Sequence, residues 1–144
     1  MPRSRFRIIP EVHLILRSGG KLLMSRRFQT GYMDGYFSLV AGHVEGDEPF
    51  AAAMAREARE ETGITLAPEA LTLVHTMHRK ANQERLSLFF ETPGWKGQIT
   101  NAEPHKCDAL DWFAPDALPE NCVPYIRAGL GAVTAGVAFS EFGW

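Results

Sequence analysis

The sequence predicts an α/β domain, a mixed sheet with two main helices, and three observations lead there. Apolar-rich runs of strand length recur along the chain, two longer stretches at residues 49–62 and 123–135 carry helical spacing, and Gly and Pro punctuate the intervals as turns do. With 144 residues the chain fits one domain, residues 1–144, and no repeat, low-complexity tract or linker divides it. Hydrophobic residues at 45% and charged residues at 22% suffice for a core and exclude the disordered class.

Residues 12–16 and 21–26 are apolar-rich and are separated by Arg17, Ser18, Gly19 and Gly20, whose glycines permit the positive φ of a hairpin turn. Gly19-Gly20-Lys21 lacks the GxxxxGK[ST] spacing and reads as that turn, not as a phosphate loop. The polar stretch 28–35 is expected as a loop, and residues 36–40 as a short strand ending at Ala41-Gly42. The clearest helix covers residues 49–62. Pro49 sits where a first-turn proline is tolerated, Asp47 and Glu48 put negative charge at the positive end of the helix dipole, and Gly63 stops the helix after Thr62. Residues 71–78, 85–91 and 108–113 read as further strands, and residues 123–135 as a second helix despite Gly129 and Gly131.

Charge and apolar runs narrow the functional classes. Fifteen Lys and Arg against seventeen Asp and Glu give a net charge of −2, so no overall positive field exists to hold polymeric nucleic acid. No apolar run approaches the ~18 residues that span a bilayer, and the Arg3, Arg5 and Arg7 start is followed only by Ile8-Ile9 before Pro10 and Glu11 break it; neither a membrane span nor a secretory signal is expected. Cys107 and Cys122 have no metal-ligand spacing and read as reduced thiols of a cytoplasmic protein, a monomer or homodimer.

The first helix concentrates the chemistry. At 100° per residue, Ala51, Met54, Ala55, Ala58 and Thr62 form one small-residue stripe suited to close packing on a sheet. Glu57, Glu60 and Glu61, at i, i+3 and i+4, project together from a different face, and Arg56 and Arg59 offset only part of their repulsion. Converging carboxylates without a thiolate are the ligand set of a hard cation, Mg²⁺ or Mn²⁺, and the natural partner of such a site is a polyphosphate. A solvated acidic helix face also needs no metal, and spacing alone leaves both readings open.

The wider context is more specific. Gly42-His43-Val44-Glu45-Gly46-Asp47-Glu48, then seven residues, then Arg56-Glu57-Ala58-Arg59-Glu60-Glu61-Thr62-Gly63-Ile64 resembles the Nudix hydrolase box. The resemblance implies an α/β/α sandwich with a mixed sheet and a loop-helix-loop catalytic motif, covering nearly the whole chain. It implies metal-dependent hydrolysis of a phosphoanhydride bond in a small nucleotide, a nucleoside triphosphate or related compound of the nucleotide-pool-cleaning type. The alternatives are another nucleoside diphosphate derivative, such as a dinucleoside polyphosphate or ADP-ribose, and a nucleotide sensor without turnover. By position, Glu60 and Glu61 match the family's principal metal ligands, and Glu57 a carboxylate that binds a further metal or helps activate water. Arg56 and Glu48 match an internal pair that shapes the loop, and Gly42 a backbone contact near the metal. Val40 stands where many members have Pro, and Asp47 where many have Gly.

Outside the box, family members often recruit another acid from a loop across the site, and Glu103 is the candidate here, a late-arriving group on a mobile loop. Arg26, His43 and His78 are the candidate substrate contacts, within the wider groups Arg26-Arg27 and His75, His78, Arg79 and Lys80. Tyr32, Phe37 and Trp112 are aromatics that either stack on a base or fill the core.

Overall fold

The computed structural model describes residues 3–144. In chain order its strands are β1 (Ile9–Ile15), β2 (Arg17–Ser18), β3 (Lys21–Arg27), β4 (Phe37–Ser38), β5 (Val40–His43), β6 (Thr72–Lys80), β7 (Glu84–Glu91), β8 (Cys107–Phe113) and β9 (Phe139–Phe142). Helix α1 (Phe50–Thr62) follows β5, and α2 (Pro124–Thr134) precedes β9.

The expected mixed sheet is present, and a second, antiparallel sheet accompanies it. The larger is mixed, in the order β5-β1-β7-β6-β9, with β1 parallel to β7 and β6 parallel to β9. In the smaller, β2, β3 and β4 pair antiparallel and β8 adds to β3. Side chains alternate across the larger sheet and give it two apolar faces. Val12, Leu14, Leu88 and Phe90 meet Ala53, Met54 and Ala58 of α1, while Ile15, Met77 and Phe89 meet Tyr125, Ile126 and Leu130 of α2. That is the α/β/α layering. Gly129 is what lets α2 approach so closely: a Cβ there would stand 2.5 Å from the Phe89 ring.

Several boundaries differ from the sequence reading, each for a local reason. Residues 36–40 are not one strand, because Phe37 and Ser38 pair with β3 whereas Val40 onward pairs with β1. Leu39, buried in the second core, is where the chain changes sheets, and Ala41-Gly42 lie inside β5 rather than ending a strand. Strand β1 begins at Ile9, three residues before the expected start at residue 12, and so includes Pro10 and Glu11. Pro10 lies near the start of β1, before the first registered pair with β5, where a missing N–H is tolerated, and its carbonyl still accepts from Val44 N–H at 3.1 Å. Pro49 caps α1 in extended conformation instead of entering its first turn, and no acid lies in that turn. Gly63 ends the helix as expected, at φ 78° with its N–H on the Arg59 carbonyl. Strand β9 has no counterpart in the sequence reading, since four residues carry too little periodicity. Both cysteines are free thiols, and among the described residues no helix is long and apolar enough to cross a membrane.

Candidate active site

Helix α1 lies under the β5 edge of the larger sheet, and its polar face turns into a cavity of about 1050 Å³. Glu57, Glu60 and Glu61 all line it, together with Ala41, Gly42 and His43 of β5 and Glu103 from the loop before β8. The sheet-facing stripe is Ala53, Met54, Ala58 and Thr62, so packing and chemistry occupy separate faces as the spacing requires. Ala51 and Ala55 are only partly buried.

Arg56 organises the loop between β5 and α1. Its guanidinium grips Glu48 through two bonds, Nη2 to Oε1 at 2.7 Å and Nε to Oε2 at 3.1 Å. It also donates to the His43 carbonyl at 3.1 Å, to Glu57 at 3.0 Å and to Glu60 at 3.3 Å. Glu48 in turn accepts the Glu45 N–H at 2.8 Å. The Arg56 hydrogen bonds, chiefly, hold the Glu48 carboxyl below the ordinary range. At Asp47 the backbone is left-handed with φ 63°, a conformation that glycine adopts more readily.

The acids differ in how well they are neutralised. Glu61 is half-buried and accepts one protein bond, from the Ala41 N–H at 2.9 Å. Burial, then repulsion from Glu57, pushes its carboxyl well above the ordinary value, with Glu103 adding to it. Burial also raises Glu57, against the pull of Arg56. Gly42 is required by contact: a Cβ there would stand 2.0 Å from the Glu57 carboxylate carbon. As the side chains stand, no three acidic, imidazole or thiol groups among the described residues close on one point, because Glu57 and Glu60 lean on Arg56 and Glu61 on Ala41. The donor set nevertheless fits a hard divalent cation. It is oxygen-only, it faces one cavity, and the half-buried Glu61 carboxylate has no ion-pair partner among the described residues, with only the more distant Arg27 charge offsetting its burial.

Glu103 reaches the same cavity, with its side chain 23% exposed. Its loop is not free-swinging: Thr100 N–H bonds the Thr62 carbonyl and Ala102 N–H the Glu61 carbonyl, tying residues 100–102 to the end of α1. Of Arg26, His43 and His78, only His43 lines the cavity. Arg26 instead bonds Asp108 at 2.7 Å, and His78 bonds Glu84 at 2.9 Å and meets the Trp144 ring edge-on. In both strands the alternation of side chains puts the next residue on the cavity side, Arg27 and Arg79. His75 is buried and held by the Val137 carbonyl and Ser140. Tyr32 stands at the cavity rim, whereas Phe37 and Trp112 pack in the cores.

The sequence reading missed the cavity floor. Glu11 accepts from Arg79 at 2.7 Å and from Arg85 at 3.0 Å, with His43 3.4 Å away. Burial opposes ionisation of Glu11, but His13, Arg79 and Arg85 outweigh it and hold the carboxyl below its ordinary value. Beside it, His13 is fully buried between the Leu88 carbonyl at 3.2 Å and the Tyr125 hydroxyl at 2.9 Å, and burial drives it down to about 4. Alternation of Glu11 and His13 with Val12 and Leu14 was the available signal.

The sequence matches the NUDIX domain over residues 10–129. It is 30% identical over 113 residues to the NAD-capped RNA hydrolase NudC of Pseudomonas aeruginosa, which covers 78% of this chain and 38% of that protein. The chain thus spans about two fifths of the length of that relative. It is 28% identical over 111 residues to the CTP pyrophosphohydrolase of Escherichia coli, with 76% and 78% covered. Among solved structures, a MutT NUDIX hydrolase from Burkholderia pseudomallei superposes with TM-score 0.79 at 25% identity, covering 88% of this chain and 98% of that one. The solution structure of the E. coli ORF135 protein gives 0.78 at 27%, with 94% of each chain covered.

Proposed function

The chain belongs to the NUDIX domain family, and from that premise we propose that it is a divalent-metal-dependent hydrolase of a phosphoanhydride bond in a nucleoside triphosphate or related small nucleotide. The observation that carries this reading is the half-buried Glu61, a carboxylate with no ion-pair partner among the described residues, gathered with Glu57, Glu60 and Glu103 in one cavity. Glu57, Glu60 and Glu61 would hold Mg²⁺ or Mn²⁺. When bound, the cation supplies charge neutralisation on phosphate oxygens and acidifies water. Glu103 faces the same space and is the protein base placed to take a proton from the attacking water. Arg56 and Glu48 fix the loop that carries His43, and His43 meets the phosphates from the β5 side. Gly42 leaves room for Glu57 against the strand.

A second reading, cleavage of a nucleoside diphosphate linked to a larger group, is favoured by the 30% identity to a NAD-capped RNA hydrolase. A panel of nucleoside triphosphates, dinucleoside polyphosphates, NAD and ADP-ribose, assayed for phosphate, pyrophosphate and mononucleotide release with Mg²⁺, separates the two. Release from the triphosphates supports the first reading. Turnover unaffected by exhaustive EDTA treatment refutes both.

A further inference from the structure

We propose that Asn101 is the positioning residue of Glu103, its side-chain amide clamping the turn that presents this carboxylate to the cavity. This rests on the reading of Glu103 as the base. The Glu103 side chain has little of its own to fix its direction: among the described residues its carboxylate pairs only with the exposed Lys106, three residues on, at 3.9 Å. Where it points therefore depends on how its backbone is held, and Asn101 holds that backbone from two ends. Asn101 Oδ1 accepts the Glu103 N–H at 3.2 Å, and Asn101 Nδ2 donates to the Cys107 carbonyl at 2.7 Å. The Glu103 carbonyl in turn accepts the N–H groups of Lys106 at 2.9 Å and Cys107 at 3.0 Å, which closes residues 103–107 into a turn. One planar amide thus joins the first peptide of the turn to its last.

Both sides of the clamp are anchored. Cys107 opens β8 and pairs with Arg27 of β3, and the Phe28 N–H bonds the Lys106 carbonyl at 2.9 Å. On the other side, the Ala102 N–H takes the Glu61 carbonyl at 3.1 Å and the Thr100 N–H the Thr62 carbonyl at 3.0 Å. These are carbonyls that a helix leaves without an internal partner at its C-terminus. The N–H groups on either side of Asn101 thus face α1, and its own side chain faces β8. Asn101 is the link that sets Glu103 against the helix of Glu57, Glu60 and Glu61 and against the strand at once. The chemistry of the link selects the residue type, because it needs an acceptor turned to an N–H and a donor turned to a C=O on one flat group. Aspartate has no such donor. Serine can imitate the short bond from residue 101 to the N–H of residue 103 but supplies no second arm for Cys107.

A double-mutant cycle separates positioning from plain structural support. Steady-state kcat and KM are measured with Mg²⁺ on whichever of ATP, CTP, GTP, UTP, NAD and ADP-ribose the wild type turns over fastest. The variants are Asn101→Ala, Asn101→Ser, Glu103→Gln and the double variant Asn101→Ala/Glu103→Gln. Glu103→Gln should lower kcat roughly 10²–10⁴-fold. Asn101→Ala should lower kcat roughly 10- to 100-fold with KM unchanged, the effect of a base displaced by up to ~1 Å, and Asn101→Ser should fall between it and the wild type. In the Glu103→Gln background Asn101→Ala should cost nothing further, since no base is left to misplace. The rise in melting temperature on adding Mg²⁺ should be the same in Asn101→Ala as in the wild type, because the helix acids are untouched. Equal fold-losses from Asn101→Ala in both backgrounds overturn the proposal, as does an unchanged kcat in the folded variant or a rise in KM alone. If Asn101→Ala does not fold, Asn101→Ser with and without Glu103→Gln completes the same cycle. Full activity in Glu103→Gln overturns the reading of Glu103 as the base and this proposal with it. A wild type inactive on all six nucleotides overturns the hydrolase reading, and again the proposal falls.

Discussion

Glu61 shows how one residue can set function against stability. Its carboxylate is half-buried, repelled by Glu57 and, among the described residues, hydrogen-bonded by the Ala41 N–H, with Arg27 as a weaker attraction. Glu61→Gln keeps an acceptor for that bond and removes the charge, so the metal-free variant should melt above the wild type while kcat falls roughly 10²–10⁴-fold, the range of lost acid–base groups. Added Mg²⁺ should raise the wild-type melting temperature and leave the variant's nearly unmoved; equal Mg²⁺ shifts would remove Glu61 from the metal site. Gly42→Ala attacks the same centre by shape. The three atoms nearest the new Cβ all belong to the Glu57 carboxylate, its carbon 2.0 Å away, so the clash falls on the end of a side chain; folding should be little affected and activity should drop about 10²-fold, the effect of a 1 Å misplacement. Full activity in that variant would show that Glu57 works from another rotamer. His13 offers a check independent of the acids. Burial lowers it to about 4, against roughly 6.5 in an unfolded chain. Between those values the unfolded state binds the extra proton, so this residue withdraws stability as pH falls from about 6.5 to about 4, roughly 3 kcal/mol in all, and nothing above that window. The His13 ring resonances should show no titration near pH 6.5; a midpoint there would contradict its place between Leu88 and Tyr125.

At the scale of elements, the loop between β5 and α1 has no regular structure and depends on Arg56 for its shape. Arg56→Ala leaves Glu48 without its bidentate partner, and Arg56→Lys cannot rebuild the two-pronged grip. Both should lose activity, and the alanine variant should also melt lower; identical melting curves for Arg56→Ala and wild type would show that the brace is dispensable. The helix itself was legible because several local signals agree there: the small-residue stripe, the offset acids and Gly63 at a left-handed stop. Residues 36–40 were not, because the switch between sheets at Leu39 depends on which distant strand each residue pairs with, and nothing local encodes that. Strand β9 was invisible for the same reason: its four residues are a strand only by virtue of lying against β6.

For the molecule as a whole, the acid wall could be read from the chain and the opposite wall could not. Glu57, Glu60 and Glu61 are close in sequence, whereas Glu11, Arg79, Arg85 and Tyr125 come from four elements and meet only in the folded sheet. Within the expected groups, Arg27 and Arg79 line the cavity while Arg26 and His78 lie outside its lining, since strand alternation puts neighbouring residues on opposite faces. The cavity sits where β5 ends the larger sheet, and that position has a further consequence. An exposed edge strand is a template on which stray strands polymerise, and natural sheets blunt such edges with charge. The outward N–H of Ala41, which an added strand would need, is already taken by the Glu61 carboxylate. The same acid that draws in a cation therefore also guards the sheet against self-assembly into aggregates, and a variant such as Glu61→Ala, lacking both the charge and the acceptor, should scatter more light on mild heating than Glu61→Gln does.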